Sequence, residues 1–298
     1  MGDPALWSAT RQAAAIRAGE LGSEELLDHY LDRIDRLNPE VNAVVTVDPD
    51  GARRAARAAD EATAQGRHPG PLHGLPITVK DALATAGMRS TGGAIELADH
   101  VPAQDASAVA AVRAAGAVVF GKTNLPRWSG DLQSFNEIFG TTNNPWDLER
   151  VPGGSSGGAA AAVASGLTSF EIGTDIGGSI RLPAAFCGVF GHKPSYGIVP
   201  TYGYLDHVAG GLTQPDVNVH GPLARSAEDL ELLLGVLAGP GPADALAWRL
   251  ELPPPRHEQL RDYRVAAWLD DPAAHVDGAV AAVLEGAAAA LERAGAPV

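Results

Sequence analysis

The residues of this chain whose types and spacing suit nucleophilic chemistry are two serines in separate glycine-rich loops, with a lysine upstream. Ser155 and Ser156 lie in PGGSSGG (152–158), Ser179 in GTDIGGS (173–179), and Lys80 ends the apolar run Leu75 to Val79. A serine hydroxyl is a weak nucleophile until a neighbouring base takes its proton. No histidine accompanies either serine motif, and the strand-to-helix elbow GxSxG is absent, since Ser179 sits in Gly-Gly-Ser-Ile-Arg. A lysine serves as base only when neutral, which requires its pKa to fall from about 10.4 through burial or a nearby positive charge. The pattern reads as a hydrolase site.

The spacing predicts that the two loops meet. Ala159 to Ala164 is helix-forming with Gly166 at the stop position, and Ser169 to Gly173 reads as extended. A helix of about ten residues climbs roughly 15 Å, and five to seven extended residues at about 3.3 Å each return the same distance. Ser155 and Ser156 should therefore lie beside Thr174–Ser179. Glycines 177 and 178 let successive amides turn towards a ligand and form a nest for an anion.

The segments GLPITVKD (74–81), GKTN (121–124), FGTTNNPWD (139–147), PGGSSGG (152–158) and GTDIGGSIRLPAAFCGVFGHKP (173–194) resemble the amidase signature family of serine hydrolases, and GPLARSAEDLELLLGVLAG (221–239) resembles it further. The resemblance implies a Ser-cisSer-Lys triad, with Ser179 as nucleophile, Ser155 as the bridging serine and Lys80 as the base. Ser156 is the neighbour most easily confused with Ser155, and the family spacing favours Ser155. The backbone amides of Ile176, Gly177, Gly178 and Ser179 are expected to hold the oxyanion, while Asp175 and Arg181 hold the loop. The implied fold is α/β, a mixed central β-sheet flanked by helices. The implied reaction converts a small-molecule amide into acid plus ammonia or an amine, with no metal or organic cofactor. One alternative is the glutaminase component of a tRNA-dependent amidotransferase, its A-type chain, which shares this site; another is a catalytically silent fragment. Arg127 departs from the family, where an acidic residue is more usual.

A competing pattern is Gly116-Ala-Val-Val-Phe-Gly-Lys122-Thr123, which matches the phosphate-loop motif GxxxxGK[ST]. Residues 117–120 are strand-like and Pro126 follows too soon for a helix beginning at the lysine, so nucleotide binding is not expected. The chain holds three lysines, Lys80, Lys122 and Lys193, against nineteen arginines, and all three fall inside the motif segments.

The elements that must position these residues follow an α/β order. Residues 4–18 and 23–37 read as amphipathic helices, with Ser23 as N-cap and Pro39 at the exit. Val41–Val47, Leu75–Val79, Ala117–Phe120 and Phe170–Gly173 read as strands, and Gly51–Gln65 as a helix. A single domain is expected over 1–298: an N-terminal helical layer (1–66), the signature core (67–239) and the start of a C-terminal portion (240–298). The proline-rich stretch 240–263 is the obvious linker. After a helix over Val276–Arg293, Ala296-Pro297-Val298 reads as the first residues of a strand, as if the chain stopped inside an α-to-β connection.

With 298 residues and 45% hydrophobic content a sizeable core is available. The formal charge of −14 argues against direct nucleic-acid or anionic-membrane partners. One cysteine excludes an internal disulfide, no secretory signal is visible at the start, and no apolar run reaches the roughly 18 residues of a membrane span. The expectation is a soluble cytoplasmic protein, with a homodimer left open.

Overall fold

The computed structural model describes residues 2–208, 210–241 and 243–298. Its elements, in chain order, are α1 (Ala9–Ala18), α2 (Ser23–Val41), β1 (Val44–Val47), α3 (Pro49–Ala64), β2 (Pro76–Lys80), α4 (Ser107–Ala114), β3 (Val118–Thr123), β4 (Phe135–Asn136), β5 (Gly140–Thr141), α5 (Gly157–Ala164), β6 (Glu171–Asp175), α6 (Arg181–Cys187), β7 (Phe190–Gly191), β8 (Val219–Ala224), α7 (Ala227–Leu237) and α8 (Gly278–Arg293). The fold is mixed α/β.

The described strands form two three-stranded sheets, ordered β1-β3-β2 and β6-β8-β7, and the small β4-β5 pair. Strand β2 runs parallel to β3 and every other pairing is antiparallel. Side chains tie β2 to β6: Thr78 Oγ1 donates to Glu171 Oε1 at 2.6 Å, and Thr78 N–H donates to Thr168 Oγ1 at 3.0 Å. Strands β2, β3, β6 and β8 are buried along their whole lengths, which explains why they read as continuous apolar or small-residue runs rather than alternating ones.

Two sequence expectations about helix ends are corrected. Helix α2 runs through Pro39 to Val41 and ends at Asn42, which takes φ +50°. Its last turn is secured instead by Asn38, whose Oδ1 accepts from the N–H groups of Ala43 and Val44. The N-cap of α2 is Gly22 rather than Ser23, with the Glu25 carboxylate accepting the Gly22 N–H at 3.2 Å. Ser23 is buried and donates its hydroxyl to Gly74 O at 2.5 Å, so it ties α2 to the start of β2.

Long-range polar contacts fasten the N-terminal helices to the core. Asp229 of α7 accepts from Ala9 N, Thr10 N and Thr10 Oγ1, giving the free amides of α1 a buried carboxylate. Arg225, just past the end of β8, donates to the carbonyls of Val163, Thr168, Ala5 and Trp7. Each such bond satisfies a backbone group that burial would otherwise leave costly.

The chain divides into two compact units, Met1–Leu250 and Glu251–Val298. The first contains everything described above except α8. The second consists of exposed chain and α8, which is capped by Asp277 and followed by Gly295 at φ +94°. Residues 296–298 form no strand among the described residues, although Val265 N–H donates to Pro297 O at 2.8 Å.

Candidate active site

Helix α5 carries the first serine loop into the interior. Gly157 to Val163 are all buried, so small side chains serve here because the helix has no solvent face. A Cβ on Gly158 would stand 2.4 Å from the Asn124 backbone, so glycine sets how closely α5 approaches the end of β3. The loop before the helix is held by Ser134, whose Oγ accepts the Gly157 N–H at 2.9 Å and lies 3.2 Å from Gly153 O and 3.3 Å from Ser155 O. The Gly154–Ser155 peptide is cis.

The out-and-back path read from the spacing is present in the structure. Ser156 N–H donates to Ser179 O at 3.2 Å, and Thr174 N–H donates to Ser156 Oγ at 3.3 Å, so the α5 and β6 loops touch. Lys80, at the end of β2, reaches the same place from the other sheet. Its Nζ lies 2.7 Å from Ser155 Oγ, 3.0 Å from Ser156 Oγ and 2.7 Å from Thr174 Oγ1.

Three partners suit an amine that must work in both protonation states. As an ammonium it donates to all three oxygens. As a free amine it donates two protons and offers one lone pair, which can accept the Ser155 hydroxyl. Lys80 is fully buried, and burial pushes its pKa down to about 7 against the opposing pull of the Asp175 and Glu171 charges. That value leaves a large share of Lys80 unprotonated near neutral pH.

The Ser179 loop is built around Asp175. Its carboxylate accepts from Gly178 N at 2.8 Å, Ile180 N at 3.0 Å and Arg181 N at 3.4 Å, and from the Arg181 guanidinium at 2.9 and 3.1 Å. Burial alone would raise the Asp175 pKa, but the Arg181 hydrogen bond and those from Ile180 and Gly178 hold it below the ordinary carboxylate value. The Gly178 N–H, expected to point at an oxyanion, is therefore given to Asp175. The amides of Ile176, Gly177 and Ser179 have no hydrogen-bond partner among the described residues. Ser179 is 9% exposed, and its hydroxyl makes no hydrogen bond among the described residues.

Sequence reasoning gave no role to Thr174 or Ser134. The signal for Thr174 was its position directly before Asp175 at the end of a buried strand; Ser134 carries no local signal, because it acts across 19 to 23 residues of sequence. The second buried lysine is also accounted for. Lys122 lies inside β3, fully buried, and donates to Leu83 O at 2.5 Å, Thr85 Oγ1 at 2.7 Å and Ser90 Oγ at 3.2 Å. A lysine enclosed in a strand cannot reach a phosphate, so the phosphate-loop pattern is a coincidence of residue types. Arg127 is exposed and pairs with the Glu96 carboxylate. Among the described residues no group of three or more His, Cys, Asp or Glu side chains is placed to hold a metal ion, and no helix is long and apolar enough to cross a membrane.

Comparison with known proteins agrees with this geometry. A family model described as Amidase matches residues 25–298. The chain belongs to the Amidase family. A curated relative, the A-type chain of the glutamyl-tRNA(Gln) amidotransferase from Carboxydothermus hydrogenoformans (strain ATCC BAA-161 / DSM 6008 / Z-2901), is 45% identical over 246 residues, covering 83% of this chain and 50% of that protein. Among solved structures, a fatty acid amide hydrolase superposes with a TM-score of 0.88 at 29% identity, covering 99% of this chain and 52% of that one. A bacterial aryl acylamidase of the amidase signature enzymes superposes with a TM-score of 0.75 at 33% identity, covering 83% of this chain and 50% of its own. This Amidase-family chain thus spans about half the length of the curated relatives it matches. The family resemblance read from the motifs and the α/β fold class are both borne out.

Proposed function

We propose that the chain carries the acylating half-site of an amide hydrolase, with Ser179 as nucleophile, Ser155 as proton relay and Lys80 as general base. The observation that carries this reading is the buried Lys80, its pKa lowered to about 7, in contact with Ser155 on a loop that itself touches the Ser179 carbonyl. In the forward step the Ser179 Oγ–C bond forms at the amide carbonyl while the hydroxyl proton passes through Ser155 to Lys80. The carbonyl oxygen becomes an oxyanion facing the free amides of Ile176, Gly177 and Ser179. Collapse of the intermediate breaks the C–N bond, the proton returns from Lys80 to the departing nitrogen, and water then releases the acid from the acyl-serine.

A cavity of about 350 Å³ is lined in part by Ile95, Arg127, Asp131 and Phe135, and its lining includes no residue of the Ser155 or Ser179 loops. The chain at Leu132 packs on Gly154, where a Cβ would stand 2.5 Å from the Leu132 carbonyl carbon. The test is release of ammonia from a panel of primary amides by the wild-type chain and by Ser179→Ala. Release equal in the two proteins would refute the reading.

A second reading follows from the curated relatives, which are named as components of glutamyl-tRNA(Gln) amidotransferases. Under it the same site hydrolyses glutamine and passes ammonia to a partner. Glutaminase activity that emerges only with added amidotransferase partner proteins would favour it. The domain organisation over 1–298, a soluble cytoplasmic location and a homodimer remain part of the proposal.

A further inference from the structure

Beside the triad stands a buried polar group that neither the mechanism nor the motifs use. His220, in β8, is fully buried, and neither ring nitrogen has a hydrogen-bond partner among the described residues. Asn218, two residues earlier, is equally buried with its amide nitrogen and oxygen both unpartnered. Leaving a buried polar atom unsatisfied costs on the order of 1–3 kcal/mol. Two such side chains next to one another therefore mark a place where polar character is retained against its cost.

The register says what His220 faces. Thr174 and His220 are direct partners in the antiparallel β6–β8 ladder, so their side chains leave the same face of the sheet. Thr174 Oγ1 accepts from Lys80 Nζ at 2.7 Å. Its own O–H makes no close hydrogen bond to an acceptor among the described residues, and the Tyr204 hydroxyl, which interacts with both Thr174 and Ser129, competes with His220 for it. The other ionisable groups around this point are Glu171 and Asp175 on β6, whose charges act on Lys80, and Tyr204, whose ring centroid lies 5.8 Å from that of His220. Burial first, and the Lys80 charge second, push the His220 pKa down to about 3, so the imidazole keeps an acceptor nitrogen at every working pH.

We propose that His220 is a positioning residue for the Lys80 base: a ring nitrogen accepts the Thr174 hydroxyl through one bridging water, and so turns the Thr174 oxygen lone pairs towards Lys80 Nζ. A Thr174 hydroxyl polarised in this way is a better acceptor for the ammonium. It also holds Nζ in register with Ser155. This inference rests on the triad reading for its catalytic meaning, although the hydrogen-bond relay itself can be measured without turnover.

The chain has three lysines, so a protein labelled with 13C at lysine Cε gives three resolvable titrations, with Lys80→Arg assigning one. The variants are His220→Leu, which removes the acceptor, and His220→Asn, which keeps one. Loss of the acceptor should lower the Lys80 midpoint by at least about half a pH unit, a roughly threefold change in its ionisation constant. His220→Asn should restore most of that shift, while Lys122 titrates unchanged in both. An unmoved Lys80 midpoint in His220→Leu, or equal shifts in the two variants, would overturn the relay, the latter marking a packing effect. Should His220→Leu fail to fold, 15N spectra of the wild-type histidines decide alone: the relay requires His220 neutral, with one unprotonated nitrogen in a hydrogen bond, and an imidazolium at pH 7 excludes it. Covalent labelling of Ser179 by a fluorophosphonate separates the two ideas, since a shifted Lys80 midpoint without Ser179 labelling sinks the triad and leaves the relay standing.

Discussion

At the scale of single residues the account depends on Lys80 being neutral. The base form increases as pH rises through about 7, so acylation should climb with pH over that range and level off above it. Replacing Lys80 with alanine should slow acylation by at least about 10²-fold, the low end of general-base contributions, and remove that limb. A pH–rate profile of the variant that keeps the limb would assign the proton to another group. Lys80 was legible in the sequence because so few lysines occur and each sits in a motif. The pair of serines was not separable on local grounds. Ser155 and Ser156 both touch Nζ, at 2.7 and 3.0 Å, but Ser156 Oγ also accepts the Thr174 N–H and lies 3.3 Å from Thr174 O, which commits it to holding the loop.

At the scale of elements the site is an intersection of β2, the N-terminus of α5 and the loop leaving β6. Asp175 is the residue that shapes that loop, through its bonds to the Gly178, Ile180 and Arg181 amides and the Arg181 side chain. Asp175→Ala should leave the buried Gly178 and Ile180 amides unsatisfied, destabilise the fold by about 1–3 kcal/mol, and cost about 10²-fold in rate, the penalty for roughly 1 Å of misplacement. Urea unfolding and single-turnover acylation check the two parts, and an unperturbed rate in a destabilised protein would separate loop shape from chemistry. Gly158→Ala should destabilise by about 1–3 kcal/mol through overpacking against Asn124. The buried strands and α5 were readable from apolar runs and small-residue composition. The continuation of α2 through Pro39 was not, because the compensating Asn38 bonds reach forward beyond the helix. The commitment of Gly178 to Asp175 was hidden for a similar reason: a glycine-rich sequence shows that amides can turn towards an anion but not which anion receives each one.

At the scale of the whole molecule, buried charge sets the pH dependence of stability. Lys80 and Lys122 have folded-state pKa values lowered to about 7 and about 8 by burial, so the unfolded chain binds more protons than the folded one from there up to about 10.4. Both lysines therefore make stability rise with pH across that window. Glu171, raised to about 7 by burial, holds its proton more tightly when folded, so its contribution is present below the unfolded value near 4.3 and is lost as pH rises towards 7. Unfolding free energies measured from pH 7 to 10 should show a smaller alkaline gain in Lys80→Met than in the wild type. Identical slopes would mean that Lys80 is charged in the folded protein.

Covalent labelling of the chain with a fluorophosphonate, followed by identification of the modified residue by mass spectrometry, reads the nucleophile and its base together. One modified serine is expected, Ser179, with labelling abolished in Ser179→Ala and slowed in Lys80→Ala while both variants unfold as cooperatively as the wild type. Modification at another serine, or labelling of Ser179 at the same rate without Lys80, would contradict the triad assignment.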